Sequence, residues 1–525
     1  MLFGGRKKNT TLKGIIFNLF RMRAKKSYLY FLSFFEGSAV MAAELFGAKL
    51  LTPYFGTSLY IWAAALGLTL GGLMTGYFIG GVISRKVQDN ERALFLILVM
   101  SGAFLFVMPF SSDWVMSFTI EMSLQMGAII SLLIFMFPPL MFMGMVSPII
   151  INILTEEAKG AGSSAGNVYA ISTLGGIFMT FLLGFWIIPA YGLTKPALII
   201  GFALALFPAV SLLRRKNLTG AGALLGLGAL FFVLNTIQAK KEGEAVLYQS
   251  EGILGQIKVM ELPKTNDDER SLIALVVNNT MQTVANPRDL SFNYWPYTTY
   301  VPYFASVFET GNKALLLGMG GGTLVRRLDS LGYELDVVEI DKRIRKVAVE
   351  YFALGPEQKV IIDDARHFVR TADSKYQLIV YDVFKGESAP EHVLTLEGIN
   401  EARRVLEQEG MMIINFYGYL EGKLGRVTRS INKTLLAANF DTRLYVTPGT
   451  PDTRNTLLLA WPSGASNPVE HSAVRQSYRQ LPRPSLIPVP DLEDAVVLTD
   501  ERPRLDLFAE SAMQWRRLYN EYLVK

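Results

Sequence analysis

The stretch LLLGMGGGTLVRRL, Leu315–Leu328, decides how this chain is read. Four of its five central residues are glycine. It follows the short apolar run KALLLG and leads into GGTLVRRLDSLG, where apolar residues return at helical spacing. A strand, a glycine turn and a helix are expected. Glycines at such a turn permit a sharp bend and let a ligand approach the backbone. Gly318, Gly320 and Gly322 form a G-x-G-x-G pattern, which alone would serve NAD or a phosphate equally well.

The neighbouring segments narrow the choice. ELDVVEID reads as a strand, KRIRKVAVEYF as a helix, KVIIDDA and YQLIVYDVF as strands, and LEGINEARRVLEQEG as a helix ended by Gly410. MMIINFYG and NTLLLAW follow as further strands. Strands alternating with helices argue for a doubly wound parallel sheet. Acids stand at successive strand ends. Glu339 can accept both hydroxyls of a ribose. Asp364 lies where an adenine amino group would sit. Asp382 ends the fourth strand, at the carboxyl edge where ligands bind in open sheets. Together they favour an adenosine-type site over NAD, whose fingerprint lacks the last two acids. Upstream, QIKVMEL, SLIALVVNN and MQTVA predict a small β-rich lobe over 245–295, followed by the α/β domain over 296–525.

The first half of the chain is different. Of 525 residues, 50% are hydrophobic and 18% charged, and most of the charge lies after the QAKKEGE boundary at Gln238–Glu244. Residues 28–238 read as a multi-pass helical membrane domain with about seven spans: 28–51, 59–83, 93–110, 128–154, 167–190, 195–213 and 219–237. The fourth holds Pro138, Pro139 and Pro148 and is expected to be kinked or broken. Residues 113–127 read as amphipathic, interfacial or part of an eighth span. Gly72, Gly76 and Gly80 form a helix-packing ladder. Glu36 and Glu44 lie on one face of the first span and are intramembrane carboxylates.

The net charge is +5, with a basic arm over residues 1–27 that lacks the pattern of a cleaved signal peptide. Beside a bilayer, such an arm acts as a topology determinant or headgroup contact, and nucleic acid is not expected as a partner. There are no cysteines and three histidines without ligand spacing, so no metal site is expected. Counting positive loops with seven spans puts the C-terminal half outside. Donor chemistry favours the cytosol, which an eighth span would allow at the cost of placing LRRKN (Leu213–Asn217) outside. Both topologies stay open on sequence.

These residues resemble the spermidine synthase (polyamine aminopropyltransferase) family, in its branch with an N-terminal multi-pass domain. The matching pieces are LLLGMGGGTLVRRL, VVEIDKRIRKVAVEYF, DDARHFV, YDVFKGESAPEHVLT and VLTDERPRL, and in the first half SFFEGSAVMAAELFGAKLL and NVYAISTLGGIFMTFLLGFWIIPAYGL. The resemblance implies a Rossmann-like, class I methyltransferase-type fold and transfer of an aminopropyl group from decarboxylated S-adenosylmethionine to an amine, putrescine in the family. No permanently bound cofactor is implied. Glu339 would hold the ribose, Asp364 and Ala365 the adenine, and Gln282 would lie near the donor. Asp382 would be the proton acceptor, because an amine attacks a methylene beside a sulfonium only once its lone pair is free. Family precedent and the β-lobe point to a homodimer.

The departures concern the acceptor. The family turn reads G-G-G-D-G, and here its amine-binding aspartate is Gly321. The family's second catalytic-loop aspartate is Lys385, with Glu387 and Glu391 nearby. Its Tyr-His-Glu segment is Tyr297-Thr298-Thr299, and a strand glutamine aligns with Gly255, beside Gln256. The alternatives are an S-adenosylmethionine-dependent methyltransferase and a non-catalytic membrane carrier or sensor with a nucleoside-binding domain.

Overall fold

The computed structural model describes residues 12–524 apart from 156–159, nearly all of 215–245, 263–271, 290–293, 384–390, 470–472 and positions 57, 287, 310 and 489. The chain divides into two compact units. One comprises Met1–Leu50, Ala63–Thr119 and Ala128–Gln238; the other comprises Leu51–Trp62, Ile120–Gly127 and Ala239–Lys525.

Six helices among the described residues are long and apolar enough to cross a membrane: Lys26–Phe55, Leu59–Lys86, Asn90–Thr119, Phe137–Leu154, Ala161–Tyr191 and Thr194–Arg214. The seventh expected span, 219–237, lies outside the described residues. The expected third span runs past residue 110, because Ser112 donates to the Pro109 carbonyl at 2.8 Å and Val115 and Met116 are buried. Residues 113–127 are therefore not one interfacial segment. They divide into the end of that helix, a turn and the start of a helix over Leu124–Phe135. The proline-rich fourth span is interrupted as expected, at Met136 and Met145, giving helices Leu124–Phe135, Phe137–Gly144 and Val146–Leu154. Pro138 sits in the first turn of the middle helix, where a missing N–H costs nothing. The glycine ladder packs on this broken element: a Cβ at Gly76 would lie 2.8 Å from Gly144 Cα, and one at Gly80 2.6 Å from the Met145 carbonyl oxygen. Glu36 is buried and accepts a hydrogen bond from Ser172 Oγ at 3.2 Å; Glu44 is buried as well.

In the second unit, β1 (Val246–Gly252), β2 (Gly255–Glu261), β3 (Ile273–Val277) and β4 (Thr280–Ala285) form an antiparallel sheet in that order. The larger sheet contains β5 (Lys313–Leu317), β6 (Glu334–Glu339), β7 (Val360–Ile362), β8 (Tyr376–Tyr381), β9 (Leu406–Tyr417), β10 (Phe440–Val446), β11 (Asn455–Pro462) and β12 (Ser485–Ile487). Its order is β12-β10-β11-β9-β8-β5-β6-β7. The five strands β9-β8-β5-β6-β7 are mutually parallel. β11, β10 and β12 extend the sheet antiparallel, so the expected all-parallel sheet is in fact mixed. Helices Thr323–Ser330, Lys342–Tyr351, Ala365–Thr371 and Leu396–Val405 follow β5, β6, β7 and β8. The last ends at Val405, not at Gly410. Leu406 pairs with Tyr376, and Gly410 lies inside β9.

The strand order reverses between β5 and β8. There the chain leaves in opposite directions and opens a crevice at the carboxyl ends. Leu317 pairs with Tyr381, so Gly318 and Asp382 emerge side by side, and the Asp382 N–H donates to the Leu317 carbonyl at 2.8 Å. Leu315, Leu316 and Leu317 have no exposed surface, each worth roughly 2 kcal/mol of apolar burial. That burial fixes the register on which this crevice depends.

Candidate active site

The glycine turn is shaped by what surrounds it. Gly318 has φ 83°, and a Cβ there would run into the Asp382 carbonyl oxygen. Gly322, φ 81°, caps the Thr323–Ser330 helix. Gly321 is different. Its N–H donates to Thr283 Oγ1 of β4 at 2.8 Å, and a Cβ at this position would lie 2.7 Å from the Thr283 methyl. Thr283 thus occupies the direction in which a side chain at 321 would grow.

Beyond the turn is a cavity of about 210 Å³ lined by Gly318, Met319, Gly320, Glu339, Asp364 and Ala365, with Gln282, Asp382 and His392 also on its wall. Of the residues named from sequence, all but Gly322 line this one space. Glu339 accepts N–H bonds from Met319 at 3.3 Å and Asp341 at 3.0 Å. Burial outweighs these bonds and pushes its carboxyl up to about 7. Asp364 caps the Ala365–Thr371 helix through the Arg366 and His367 N–H groups, both at 3.0 Å. Its second oxygen faces His392 Nε2 at 3.1 Å. The hydrogen bond from His392 is the main cause that holds Asp364 down to about 2.

Asp382 is buried. Tyr297 Oη donates to its Oδ2 at 3.2 Å, and Asn415 Nδ2 donates to its Oδ1 at 2.8 Å. Two donors on different elements thus hold the carboxylate in one orientation. Sequence reasoning noted Tyr297 only as a departure and passed over Asn415 and His392. An asparagine inside the apolar strand MMIINFY was the available signal for Asn415.

A second, smaller chamber joins the first at Gln282, Met319, Gly320 and Asp382. Tyr294, Trp295 and Tyr297 form much of its wall. Trp295 lies 4.9 Å from the Tyr294 ring and 6.3 Å from Trp515 on the C-terminal helix Leu505–Val524, and Trp515 lies 5.2 Å from Tyr417. Arg517 of this helix donates to the carbonyls of Ile120, at 2.8 Å, and Met122, at 2.6 Å. The VLTDERPRL stretch also has a place. Asp500 accepts two bonds from Arg366 and one from Thr395 Oγ1, while Arg366 donates to the His392 carbonyl. This network anchors the segment carrying His392. Gly255, φ 98°, lies against the Asn278 side chain, which leaves no room for a glutamine there. Lys385, Glu387 and the side chain of Glu391 lie outside the described residues.

The family profile described as "Spermine/spermidine synthase domain" matches residues 293–447. Residues 293–447 are thus similar to a spermine/spermidine synthase domain. The chain is 26% identical over 263 residues to a probable polyamine aminopropyl transferase of Bifidobacterium longum, covering 49% of this chain and 56% of that one. It is 25% identical over 401 residues to polyamine aminopropyltransferase 2 of Aquifex aeolicus, covering 72% and 77%. It is 36% identical over 115 residues to an N-terminal histidine N-methyltransferase of Emericella nidulans, covering 21% of each. The match to the Bifidobacterium protein thus spans little more than half of its length, and that to the Emericella protein about a fifth.

Proposed function

We propose that this protein transfers the aminopropyl group of decarboxylated S-adenosylmethionine to an amine. The observation that carries this reading is the pair of joined chambers meeting at Asp382. The nucleoside fits the larger one. Glu339 accepts the ribose hydroxyls, and Asp364 with Ala365 borders the adenine. Gln282 and the turn at Gly318–Gly320 flank the sulfonium and its chain. Among the described residues lining either chamber there is no Lys or Arg. A donor that kept its carboxylate would bring that charge toward Asp382, which lines both chambers, whereas the ammonium of the decarboxylated form is attracted to it; this favours the decarboxylated form.

In the reaction, the acceptor nitrogen attacks the methylene of the aminopropyl chain that is bonded to the sulfonium sulfur. The C–N bond forms as the C–S bond breaks, and its electrons return to sulfur to give methylthioadenosine. Asp382 takes the proton that the acceptor must lose, and Tyr297 and Asn415 keep its oxygens aimed. The kinship with polyamine aminopropyltransferases supports this assignment. Six long apolar helices support placing the protein in a lipid bilayer.

A methyltransferase reading is favoured by the local similarity to a histidine N-methyltransferase. Calorimetry and product analysis on the purified full-length protein separate the two. Tighter binding of decarboxylated donor and release of methylthioadenosine are expected. Preference for S-adenosylmethionine with release of S-adenosylhomocysteine would replace the first reading with the second.

A further inference from the structure

We infer that Arg343 is a positioning residue for the nucleoside donor, tying the turn between β1 and β2 to the strand end that receives the ribose; this rests on the nucleoside reading above. Leu254 of that turn, Glu339 and Asp341 all line the cavity of about 210 Å³. Arg343 stands behind this wall and holds two parts of it. Its Nη2 donates to Asp341 Oδ2 at 2.6 Å and to the Gly255 carbonyl at 3.1 Å. Its Nε donates to Asp341 Oδ1 at 3.0 Å, and its Nη1 to Ser250 Oγ at 3.3 Å. The planar fork of a guanidinium can serve such divergent acceptors together, which a lysine cannot.

The hairpin is built around this side chain. Gly252 lies against the guanidinium, and a Cβ there would stand 2.8 Å from Nη1. Ser250, Gly252 and Gly255 bracket Ile253 and Leu254, so the grip of Arg343 fixes where Leu254 meets the cavity. Asn278 holds the same turn: its Nδ2 donates to the Leu254 carbonyl at 3.3 Å, and its Oδ1 accepts the Gln256 N–H at 2.9 Å. At the other end, Asp341 accepts the Arg343 N–H at 2.9 Å and caps the helix Lys342–Tyr351. The Asp341 N–H donates to Glu339 Oε1 at 3.0 Å. One side chain thus joins a wall from the small sheet to the carboxylate on the large one.

The pair also bears on charge. Burial is the main cause that raises the Glu339 carboxyl, and the Asp341 charge adds to it. The Arg343 cation beside Asp341 offsets that charge. Among the described residues, the other ionisable groups on the cavity wall are Asp363, Asp364, Asp382 and His392. Without the guanidinium, Asp341 faces Glu339 uncompensated, and Glu339 keeps its proton to higher pH. A ribose that needs the ionised carboxylate then binds fully only at higher pH.

The test titrates methylthioadenosine into the full-length wild type, Arg343→Met and Arg343→Lys by calorimetry from pH 6 to pH 9, with Tm measured alongside. Both variants untie the turn and should bind about fivefold or more weakly at pH 9, where Glu339 is ionised in all three proteins. In Arg343→Met the midpoint of the pH dependence should move up by about half a unit or more. Arg343→Lys keeps a cation beside Asp341, and its midpoint should stay near that of the wild type. With decarboxylated S-adenosylmethionine, KM for the donor should rise while kcat stays within about twofold. A lowered Tm with unchanged affinity and midpoint would make Arg343 a stability residue only and overturn the inference. An unmoved midpoint in Arg343→Met, or a kcat that falls while KM holds, overturns it too. Failure of the wild type to bind methylthioadenosine overturns the nucleoside reading along with it.

Discussion

Glu339 offers the sharpest test of the proposed nucleoside site, because its protonation and its proposed role as ribose acceptor oppose each other. Burial moves this carboxyl from 4.5 to about 7. The folded state holds the proton more tightly than the unfolded state. The ligand-free protein therefore loses stability as pH rises from 4.5 toward 7, by about 3 kcal/mol when the loss is complete. A ribose diol donates to the ionised carboxylate, so donor binding must expel that proton. Affinity is then full above pH 7 and falls about tenfold for each pH unit below it. Methylthioadenosine, which has no group titrating near neutrality, should bind roughly tenfold more weakly at pH 6 than at pH 8 by calorimetry. The variant Glu339→Gln removes the titration and turns an amide donor toward the Met319 or Asp341 N–H. It should bind at least tenfold more weakly at pH 8 and show no slope. A flat wild-type profile, or a slope that survives in Glu339→Gln, would refute the assignment of the ribose to this side chain.

Other perturbations address the remaining parts. Tyr297→Phe and Asn415→Leu each remove one donor from Asp382; kcat should fall about tenfold or more while methylthioadenosine affinity stays within about twofold, since orientation of the base and not donor binding is lost. Gly318→Ala combines a left-handed φ with a Cβ driven into the Asp382 carbonyl, and should abolish donor binding in calorimetry even where the protein still purifies as a folded species. Asp364→Ala removes a helix cap and should lower stability by about 1 kcal/mol, read as a drop in Tm. The Asp364 pKa lies below its ordinary value, so its contribution is present above about pH 4 and fades as pH falls toward 2.

Much of this architecture was legible because apolar runs and glycine punctuation report directly on burial and backbone shape. KALLLG could only be a buried strand, and the acids Glu339, Asp364 and Asp382 could be read as strand-end residues that share a crevice once the sheet was wound. The breaks in the 128–154 segment followed from prolines that cannot donate an N–H. Other features depend on contacts distant in sequence. The helix after Leu396 carries a helical pattern through Glu409, yet pairing with Tyr376 and Leu378 draws Leu406 onward into β9. Tyr297 and Asn415 became site residues only when folding carried them across 85 and 33 positions to the same carboxylate. The reason for Gly321 was also hidden. Its explanation lies in Thr283, on a different sheet and 38 residues away.

The Arg517 clasp on Ile120 and Met122 has a practical consequence for anyone wishing to work with the catalytic half alone. The compact unit that holds the candidate active site is assembled from three separated pieces of chain. Cutting the gene at residue 239 would look natural on the hydropathy profile, but it would discard two of those pieces. The C-terminal helix would lose the carbonyls that Arg517 grips, and through Trp515 the wall behind Trp295 would lose its brace. An excised fragment could keep its sheet and still misreport its acceptor, so measurements of substrate choice belong on the intact polypeptide.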